Sequence, residues 1–427
     1  MADQKTVRPL VLAYMVNLYP PYIVGGAEIL AQEVIMALRE RGHTVHVICG
    51  QGKDLPDDGF THQVMDIDLE RKTDIFLGGL PLTVPRLITW HLFNWRTYRG
   101  VREALARIQP DLVIGWSLYM ASAAPLAAAK RLSIPVIAQP ADKWLLYMLK
   151  DINALIQTTR QPFLAGLTLM QHTVQPPLNH FAGPDYILAV SEFIRDLHTQ
   201  TGYAPSQSQA TYLGVPTDVF TQAQRTPPQN RPWRFIFAGQ LWSGKGPQVA
   251  VEAIHMLAQR PDLPPATLDI YGNGGQPFQD HLNDLIRQWG LEDRVALRGF
   301  IPRPDLATEF GNHDAYLFTS IWDEPFSVSL LGAMSTGLPT IATTAGGTPE
   351  AIVDGENGLL VPPDDAPALA EAMARLMQEP DLAPRLGRQA AEDVRIRWSF
   401  DAYMDRIEGI YRAIVDGHRP GQPVDLQ

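Results

Sequence analysis

The sequence contains a single cysteine, Cys49, among 427 residues. One cysteine excludes an internal disulfide and a cysteine-rich zinc site, and it is typical of a reducing compartment. An excess of positive charge is also missing, because 35 Lys and Arg residues stand against 46 Asp and Glu residues, a formal net charge of −11. We therefore expect no general attraction to nucleic acid, and any bound anion must be held by a local site.

Long hydrophobic runs are scarce as well. Residues 9–27 carry no charge, but the strongly apolar part is short and is followed by Asn17 and two prolines, which argues against a signal peptide. The uncharged stretches 161–184 and 325–349 contain repeated Pro, Gly and polar residues, so neither predicts a membrane span. With 45% hydrophobic and 19% charged residues, the composition is that of a folded protein, which we predict to be cytoplasmic.

Strands and helices alternate from the beginning of the chain. An apolar run at 10–16 is followed by a loop with Gly25 and Gly26, a segment with apolar residues at four-residue spacing, and a β-branched run at 44–49. These features predict a βαβ unit. Further strands are predicted at 111–114, 135–138 and 186–190.

The alternating pattern restarts after residues 222–232, a polar segment with three prolines that we interpret as a linker. The predicted fold class is therefore α/β, with two doubly wound Rossmann-like domains facing each other across a cleft. A ligand is expected in that cleft, beside the loops that follow the carboxyl ends of the strands.

Three loops of the second half follow predicted strands and carry residues suited to ligand binding. The first, 239–246 (GQLWSGKG), combines glycines with Lys245 ahead of a helix. Glycines let backbone N–H groups approach an anion, and the helix N-terminus and the lysine add positive charge, so a phosphate fits this loop. The alternative is an ordinary strand-to-helix turn with a solvated lysine.

The second loop, 320–329, contains Asp323 and Glu324, and the third, 345–350, contains two glycines and Glu350. The acids of the second loop could cap the following helix, whereas the functional interpretation has Glu324 accepting hydrogen bonds from sugar hydroxyls. The third loop could be only a turn, or its acid could orient a ligand. Three such loops at one edge of one sheet favour a binding site.

The order and spacing of these segments resemble glycosyltransferase family 4 of the GT-B fold, over nearly the whole chain. The opening YPPYIVGGAE and LRERGHTVHV are similar to the family's glycine loop and first helix. DYILAVSEFIRD and YLGVPTDVF are similar to its domain-closing segment, and GQLWSGKG to its phosphate loop. The most specific similarity is EPFSVSLLGAMSTGLPTIATTAGGTPEAIVDGENGLLVPPDD, which resembles the donor-sugar region.

The resemblance implies transfer of a sugar from a nucleotide diphosphate sugar to an acceptor hydroxyl, with retention of anomeric configuration and without a metal. It implies no cofactor, since the UDP- or GDP-linked sugar is a substrate. The implied boundaries are 1–221 for the first domain, 222–232 for the linker, 233–398 for the nucleotide-sugar domain and 399–427 for a helix crossing back to the first domain.

Site residues follow from the resemblance position by position. Lys245 would contact the diphosphate, Glu324 would hold hydroxyls of the donor sugar, and Asp142 would complete the catalytic set. Phe326 and Ser327 would present backbone N–H groups to the sugar or phosphate. The other donor-binding positions are Gly25, Gly26, Gly239, Gln240, Phe300, Gly346, Gly347 and Glu350.

Four positions depart from the family pattern. Ala141 stands where the family has a histidine that helps to hold the donor sugar, and Gln240 replaces an arginine beside the phosphate lysine. Gly332 replaces a second acid that binds ribose, and Leu213 replaces an asparagine. We expect weaker or altered donor binding, because several polar contacts of about 1–3 kcal/mol each are missing.

The acceptor is open between a glycan, a lipid-linked molecule and a small molecule. Residues 86–99 (RLITWHLFNWRTYR) suit a membrane surface or a lipid-linked acceptor, although a core-packing helix with polar ends is the favoured interpretation. The net negative charge disfavours strong binding to anionic lipids, so peripheral contact at the inner membrane face is only an alternative. His172 or His180 could replace the missing histidine.

Two other functions stay open. A sugar-nucleotide epimerase has a similar architecture, but Ala141 and Gly332 remove acid and base groups that it requires. A non-catalytic relative that binds a nucleotide sugar or stabilises a partner enzyme is favoured by the four departures. Asp66 and Asp68 resemble a metal-binding pair of another glycosyltransferase fold, but we interpret them as a solvated surface segment and predict no metal.

Overall fold

The computed structural model describes residues 8–70, 93–118, 120–144, 181–199, 207–223 and 226–417. The chain divides into two compact units, one formed by Met1–Thr211 with Met404–Gln427 and the other by Tyr212–Tyr403. Each unit contains a parallel sheet with helices in the connections between its strands. The predicted α/β class, with two doubly wound sheets, is confirmed.

The first sheet has the strand order β3-β2-β1-β4-β5-β6-β7, and its neighbouring strands are parallel. Its central strands are apolar throughout, as a sheet covered on both faces requires. The strands are β1 Val11–Val16, β2 Thr44–Gln51, β3 Thr61–Asp68, β4 Leu112–Ser117, β5 Val136–Ala138, β6 Tyr186–Ala189 and β7 Ser208–Ala210.

The first helix shows why the four-residue spacing was informative. Leu30, Val34 and Leu38 are all buried on one face of it, and Gly42, with a φ of +90°, follows its end in the left-handed region. The described helices between strands of the first sheet are α1 Gly26–Glu40, α2 Trp95–Ile108, α3 Ala124–Arg131 and α4 Glu192–Thr199.

The second sheet has the order β10-β9-β8-β11-β12-β13 and is also parallel. Its strands are β8 Trp233–Ala238, β9 Ala266–Tyr271, β10 Val295–Gly299, β11 Ala315–Phe318, β12 Thr340–Thr343 and β13 Leu359–Val361. The helices that follow are α5 Pro247–Ala258, α6 Gln276–Gln288, α7 Arg303–Asn312, α8 Val328–Ser335, α9 Ala366–Gln378, α10 Leu382–Arg397 and α11 Phe400–Gly417. Across the described ranges, no helix has the length and apolar content to cross a membrane.

The last helix, α11, passes from one unit to the other. It begins in the second unit, and its residues from Met404 onward belong to the first. There the Tyr411 hydroxyl lies 2.8 Å from the Tyr14 hydroxyl of β1 and donates a hydrogen bond to Gln139 Oε1 at 2.8 Å. Tyr411 and Tyr14 are fully buried, so this part of α11 belongs to the core of the first unit.

The strand order of the second sheet reverses between β8 and β11. At such a switch point the connections leave toward opposite faces, and a crevice opens at the carboxyl ends of the two strands. The loop after β8 contains Lys245, and the loop after β11 contains Glu324. The topology therefore places the first two predicted loops at the switch point of this sheet.

Candidate functional site

The loop after β8 holds Lys245 at the carboxyl edge of the second sheet. Ser243–Lys245 form a 3₁₀ turn, and Gly246, with a φ of +71°, leads into α5. A Cβ atom on Gly246 would overlap the backbone oxygen of Thr319, so a glycine is required there. The lysine loop is thereby fixed against the end of β11.

Lys245 and Glu324 form an ion pair at the centre of the site. The ammonium donates a hydrogen bond to Glu324 Oε1 at 2.5 Å. Glu324 is only 4% exposed, whereas the Lys245 side chain is 24% exposed. A buried carboxylate beside a cation that solvent can reach can hold both the hydroxyls and the phosphates of one ligand.

Ser320 is a residue of the candidate site that sequence reasoning did not select. Its buried hydroxyl donates to Glu324 Oε1 at 2.7 Å and lies 3.2 Å from the backbone oxygen of Gly244. The only available signal was its position close after a predicted strand. Glu324 is thus oriented by two donors, and the helix-capping interpretation is wrong for it, because the N-cap of α8 is Ser327.

The loop after β12 supports the backbone of Glu324. The N–H of Gly347 donates to the backbone oxygen of Glu324 at 2.7 Å. Gly346 has a φ of +60°, and a Cβ atom on it would lie 2.5 Å from the backbone nitrogen of Glu324. In the described part of the chain, Thr348 Oγ1 is buried without a hydrogen-bond partner. The third predicted loop therefore contacts the second.

Replacing Gly346 with alanine is expected to destabilise the protein by about 2–4 kcal/mol, because the left-handed backbone is strained and the Cβ atom displaces Glu324. Gly355→Ala is the matched control, since Gly355 has a φ of +74° with open space around it. We expect the control to cost about 1–2 kcal/mol and to keep activity. Urea unfolding measures both costs, and equal costs would contradict the contact between the loops.

The other predicted positions of the second unit also follow strands of its sheet. Gly239 and Gln240 come after β8, and the Gln240 side chain is exposed. Phe300 follows β10 and is 69% exposed. Phe326 is buried, with its ring centroid 5.2 Å from that of Tyr212, so its side chain serves packing. Glu350, partly exposed, ends the 3₁₀ turn Thr348–Glu350.

The predicted positions of the first unit lie at the carboxyl edge of the first sheet. Gly25 precedes α1, which begins at Gly26, and the Gly25 N–H donates to Glu28 Oε2 at 2.8 Å. Burial raises the pKa of Glu28, a residue that sequence reasoning did not select. Asp142 follows β5 and accepts a hydrogen bond from the Trp144 N–H at 2.7 Å. Burial, aided by the charge of Glu28, raises the pKa of Asp142 to about 6.

Asp142→Asn is expected to abolish the loss of stability that the natural sequence undergoes as the pH rises through about 6. Because the pKa of Asp142 rises from 3.8 to about 6 on folding, the folded state keeps a proton that the unfolded chain releases. This stabilising contribution is complete below about pH 4 and is lost as the pH rises through 6. We expect the variant to be more stable than the natural sequence by about 1–3 kcal/mol above pH 7, and by little near pH 4. Urea unfolding across this range tests it, and a difference independent of pH would contradict it.

Gly332, which stands where the family has a second acid, packs closely against an aromatic ring. Gly332 is buried on α8, and a Cβ atom there would lie 3.0 Å from the ring of Phe220. That ring is 2% exposed, and its centroid lies 6.0 Å from that of Phe310. A side chain at this position would require the Phe220 ring to shift by at least a few tenths of an ångström. A bound ribose would therefore have to be held by other groups.

Several predictions of the first half fall wholly or partly on residues outside the described ranges. They concern the histidines proposed as replacements, His172 and His180, and the segment 86–99, of which residues 86–92 lie outside those ranges. Within the described ranges, Asp66 accepts a hydrogen bond from Asn94 Nδ2 at 3.3 Å. No group of three or more His, Cys, Asp or Glu side chains there is arranged to hold a metal ion.

Two family models match the chain in succession. The one described as Glycosyltransferase Family 4 matches residues 24–219, and the one described as Glycosyl transferases group 1 matches residues 218–393. The chain belongs to the glycosyltransferases of the family 4 type. The resemblance drawn from the sequence motifs is confirmed.

Individual known proteins are similar to this glycosyltransferase over nearly its whole length. Glycogen synthase of Mycobacterium tuberculosis is 25% identical over 415 residues, which cover 95% of each chain. Sucrose-phosphate synthase of Thermosynechococcus elongatus has a TM-score of 0.71 at 18% identity, covering 96% of this chain and 100% of that one. HepE of Anabaena, in complex with UDP-glucose, has a TM-score of 0.64 at 18% identity, covering 93% and 98%.

The two solved structures establish the GT-B fold. The family matches, together with the similarity to glycogen synthase, establish that the chain is an enzyme that transfers sugars. Neither the epimerase nor the non-catalytic alternative is favoured by them. The departures at Ala141, Gln240 and Gly332 therefore occur in a chain that belongs to the glycosyltransferases.

Proposed function

We propose that this glycosyltransferase moves a sugar from a nucleoside diphosphate sugar to an acceptor hydroxyl, with retention of anomeric configuration and without a metal ion. The observation that carries the proposal is the Lys245–Glu324 pair at the switch point of the second sheet. HepE of Anabaena binds UDP and UDP-glucose, so UDP-linked sugars are the first donors to test.

Lys245 is the group that meets the diphosphate. Its ammonium is already held by Glu324, which keeps the charge at the edge of the sheet before a ligand arrives. A diphosphate gives this cation a second anionic partner. Negative charge grows on the diphosphate as it departs, so Lys245 stabilises the transition state more than the ground state. A protein cation in this place neutralises the leaving group without a metal.

Glu324 is the group that holds the donor sugar. Its Oε1 accepts hydrogen bonds from Lys245 and Ser320, and a carboxylate has further lone pairs for sugar hydroxyls. The bond between the anomeric carbon and the diphosphate oxygen breaks, and the acceptor oxygen bonds to that carbon on the same face. The acceptor proton passes to the departing phosphate oxygen, so a second carboxylate is not required as a nucleophile.

Calorimetric titration with UDP, GDP and ADP tests the donor site before any acceptor is known. We expect one nucleotide to bind with a Kd in the micromolar to sub-millimolar range, and the sugar donors carrying it then form the panel for transfer. The anomeric configuration of the product, determined by NMR, tests the proposed retention. The rate in the presence of a chelator tests the proposed independence from a metal ion. Binding of none of the nucleotides, an inverted product, or activity that a chelator removes and a metal restores would each contradict the proposal.

A further inference from the structure

A cluster of aromatic side chains on the first unit has two members that are open to solvent. Trp95 is 71% exposed and Phe181 is 46% exposed. The ring centroid of Phe93 lies 5.2 Å from that of Trp95, 5.5 Å from that of Tyr98 and 6.5 Å from that of Phe181. We name these four residues the aromatic patch. Of the four, Trp95 and Phe181 are exposed, Phe93 is partly exposed and Tyr98 is buried at 8% exposure. Two exposed rings joined through a third form a larger apolar surface than the single exposed apolar residues that are ordinary on a protein.

Three exposed arginines lie on the same helix as Trp95 and Tyr98 of the aromatic patch. Arg96, Arg99 and Arg102 lie on the first turns of α2, and the Arg102 guanidinium is 5.9 Å from the centroid of the Tyr98 ring. The sequence of α2 contains one acid, Glu103. This helix is therefore locally positive although the whole chain carries a formal charge of −11.

The aromatic patch lies at the carboxyl edge of the first sheet. The N-cap of α2 is Asn94, and its backbone N–H donates to Ser122 Oγ, beyond the end of β4, at 3.1 Å. In the first turn, Thr97 Oγ1 accepts a hydrogen bond from the Asp66 N–H, near the end of β3, at 2.9 Å. These bonds fix the start of α2 at the edge where Asp142 and the glycine loop before α1 also lie.

We propose that the aromatic patch and the three arginines bind the surface of an anionic phospholipid membrane. Indole and phenyl rings favour the headgroup region, and arginine stems cover apolar surface while their guanidinium groups pair with lipid phosphates. The net negative charge, which by itself disfavours anionic lipids, has little effect on this contact, because exposed charges beyond about 10 Å are largely screened at physiological ionic strength. The nearby charges are Arg96, Arg99, Arg102 and Arg107 of α2 against Glu103 and Asp66, whose Oδ2 accepts a hydrogen bond from Asn94 Nδ2 at 3.3 Å, so the local balance is positive.

Membrane binding at this edge has a consequence for the acceptor. Together with the proposed transfer reaction, on which this step rests, it selects a hydroxylated acceptor that is itself anchored in the membrane. The contact turns the carboxyl edge of the first sheet toward the lipid headgroups, so such an acceptor reaches Asp142 and the glycine loop without leaving the bilayer. Membrane binding itself needs neither donor nor acceptor, so it can fail or succeed independently of sugar transfer.

Co-sedimentation of the full chain with vesicles tests the proposal, using phosphatidylcholine vesicles and vesicles that also contain phosphatidylglycerol. We expect binding to the anionic vesicles that weakens as salt is added. Arg96→Gln, Arg99→Gln and Arg102→Gln together should lower that affinity on the order of a hundredfold. Trp95→Ser should lower it by about tenfold.

Phe60→Ser is the matched control. Phe60 is 42% exposed, stands just before β3 at the opposite edge of the same sheet, and has the Arg39 guanidinium 5.3 Å from its ring centroid. Its loss should leave vesicle binding unchanged, and circular dichroism verifies that all variants fold. The proposal is overturned by absence of vesicle binding, by an equal loss in the control, or by light scattering that shows a dimer which Trp95→Ser dissociates.

Discussion

Replacement of Lys245 with alanine is expected to lower kcat/KM for sugar transfer by about a hundredfold to a thousandfold. Two effects combine in this loss. The diphosphate loses its cation, and charge-assisted hydrogen bonds are about twice as strong as neutral ones. Gln240, where the family has an arginine, cannot supply the missing charge, so the loss should be larger than in a site with two cations. Initial rates with the donor identified by titration measure it.

Lys130→Ala is the control for the loss of a lysine from an ion pair. The Lys130 ammonium lies 3.3 Å from Asp185 Oδ1 in the first unit, and both side chains are 28% exposed. Its exposure is close to the 24% of Lys245, but the pair lies outside the candidate site. We expect this variant to keep its activity. If Lys245→Ala transferred sugar at the natural rate, the diphosphate role of the lysine would be wrong.

The fold was predictable because its signals are local. Apolar runs of strand length, glycine turns and four-residue helical spacing identify the central strands and the first helix from a few neighbouring residues. They do not predict β3, where Asp66 and Asp68 are interpreted from the sequence as a solvated surface segment. Which of those elements lie side by side depends on residues that are far apart in the sequence. Lys245 and Glu324 are 79 positions apart, and their contact depends on β8 and β11 lying side by side. For this reason the sequence indicated both residues but not the bond between them, nor Ser320 beside them.

Exposure was the other property that sequence patterns predicted poorly. Within the described part of 86–99, the core-packing interpretation holds for Thr97 and Tyr98, which are buried, but not for Trp95, which is 71% exposed. Whether a ring at the start of a helix is covered depends on what packs beside it, and that is a tertiary property. The absent acid at Gly332 is similar, because the ring of Phe220 that fills its place belongs to a distant segment.

Glu324→Gln is expected to lower kcat by about a hundredfold while the protein stays folded. The neutral amide keeps the size of the side chain and can still accept a hydrogen bond from Ser320, but it is a weaker acceptor for sugar hydroxyls and for Lys245. The comparison with Lys245→Ala separates catalysis from stability. Removing the lysine leaves Glu324, which is 4% exposed, as a buried carboxylate without its cation, at a cost of about 1–3 kcal/mol.

The double variant Lys245→Ala with Glu324→Gln decides between the two roles of this pair. Removing the carboxylate charge should restore most of the stability that Lys245→Ala alone loses, because no uncompensated charge is then buried. Activity should not recover, since both contacts to the donor are gone and residues acting as a unit give non-additive losses. Urea unfolding and initial rates are measured on the natural sequence, the two single variants and the double variant. They give one double-mutant cycle for stability and one for activity. Recovery of activity together with stability would show that the pair only holds the loops together, and the donor site would then have to lie elsewhere.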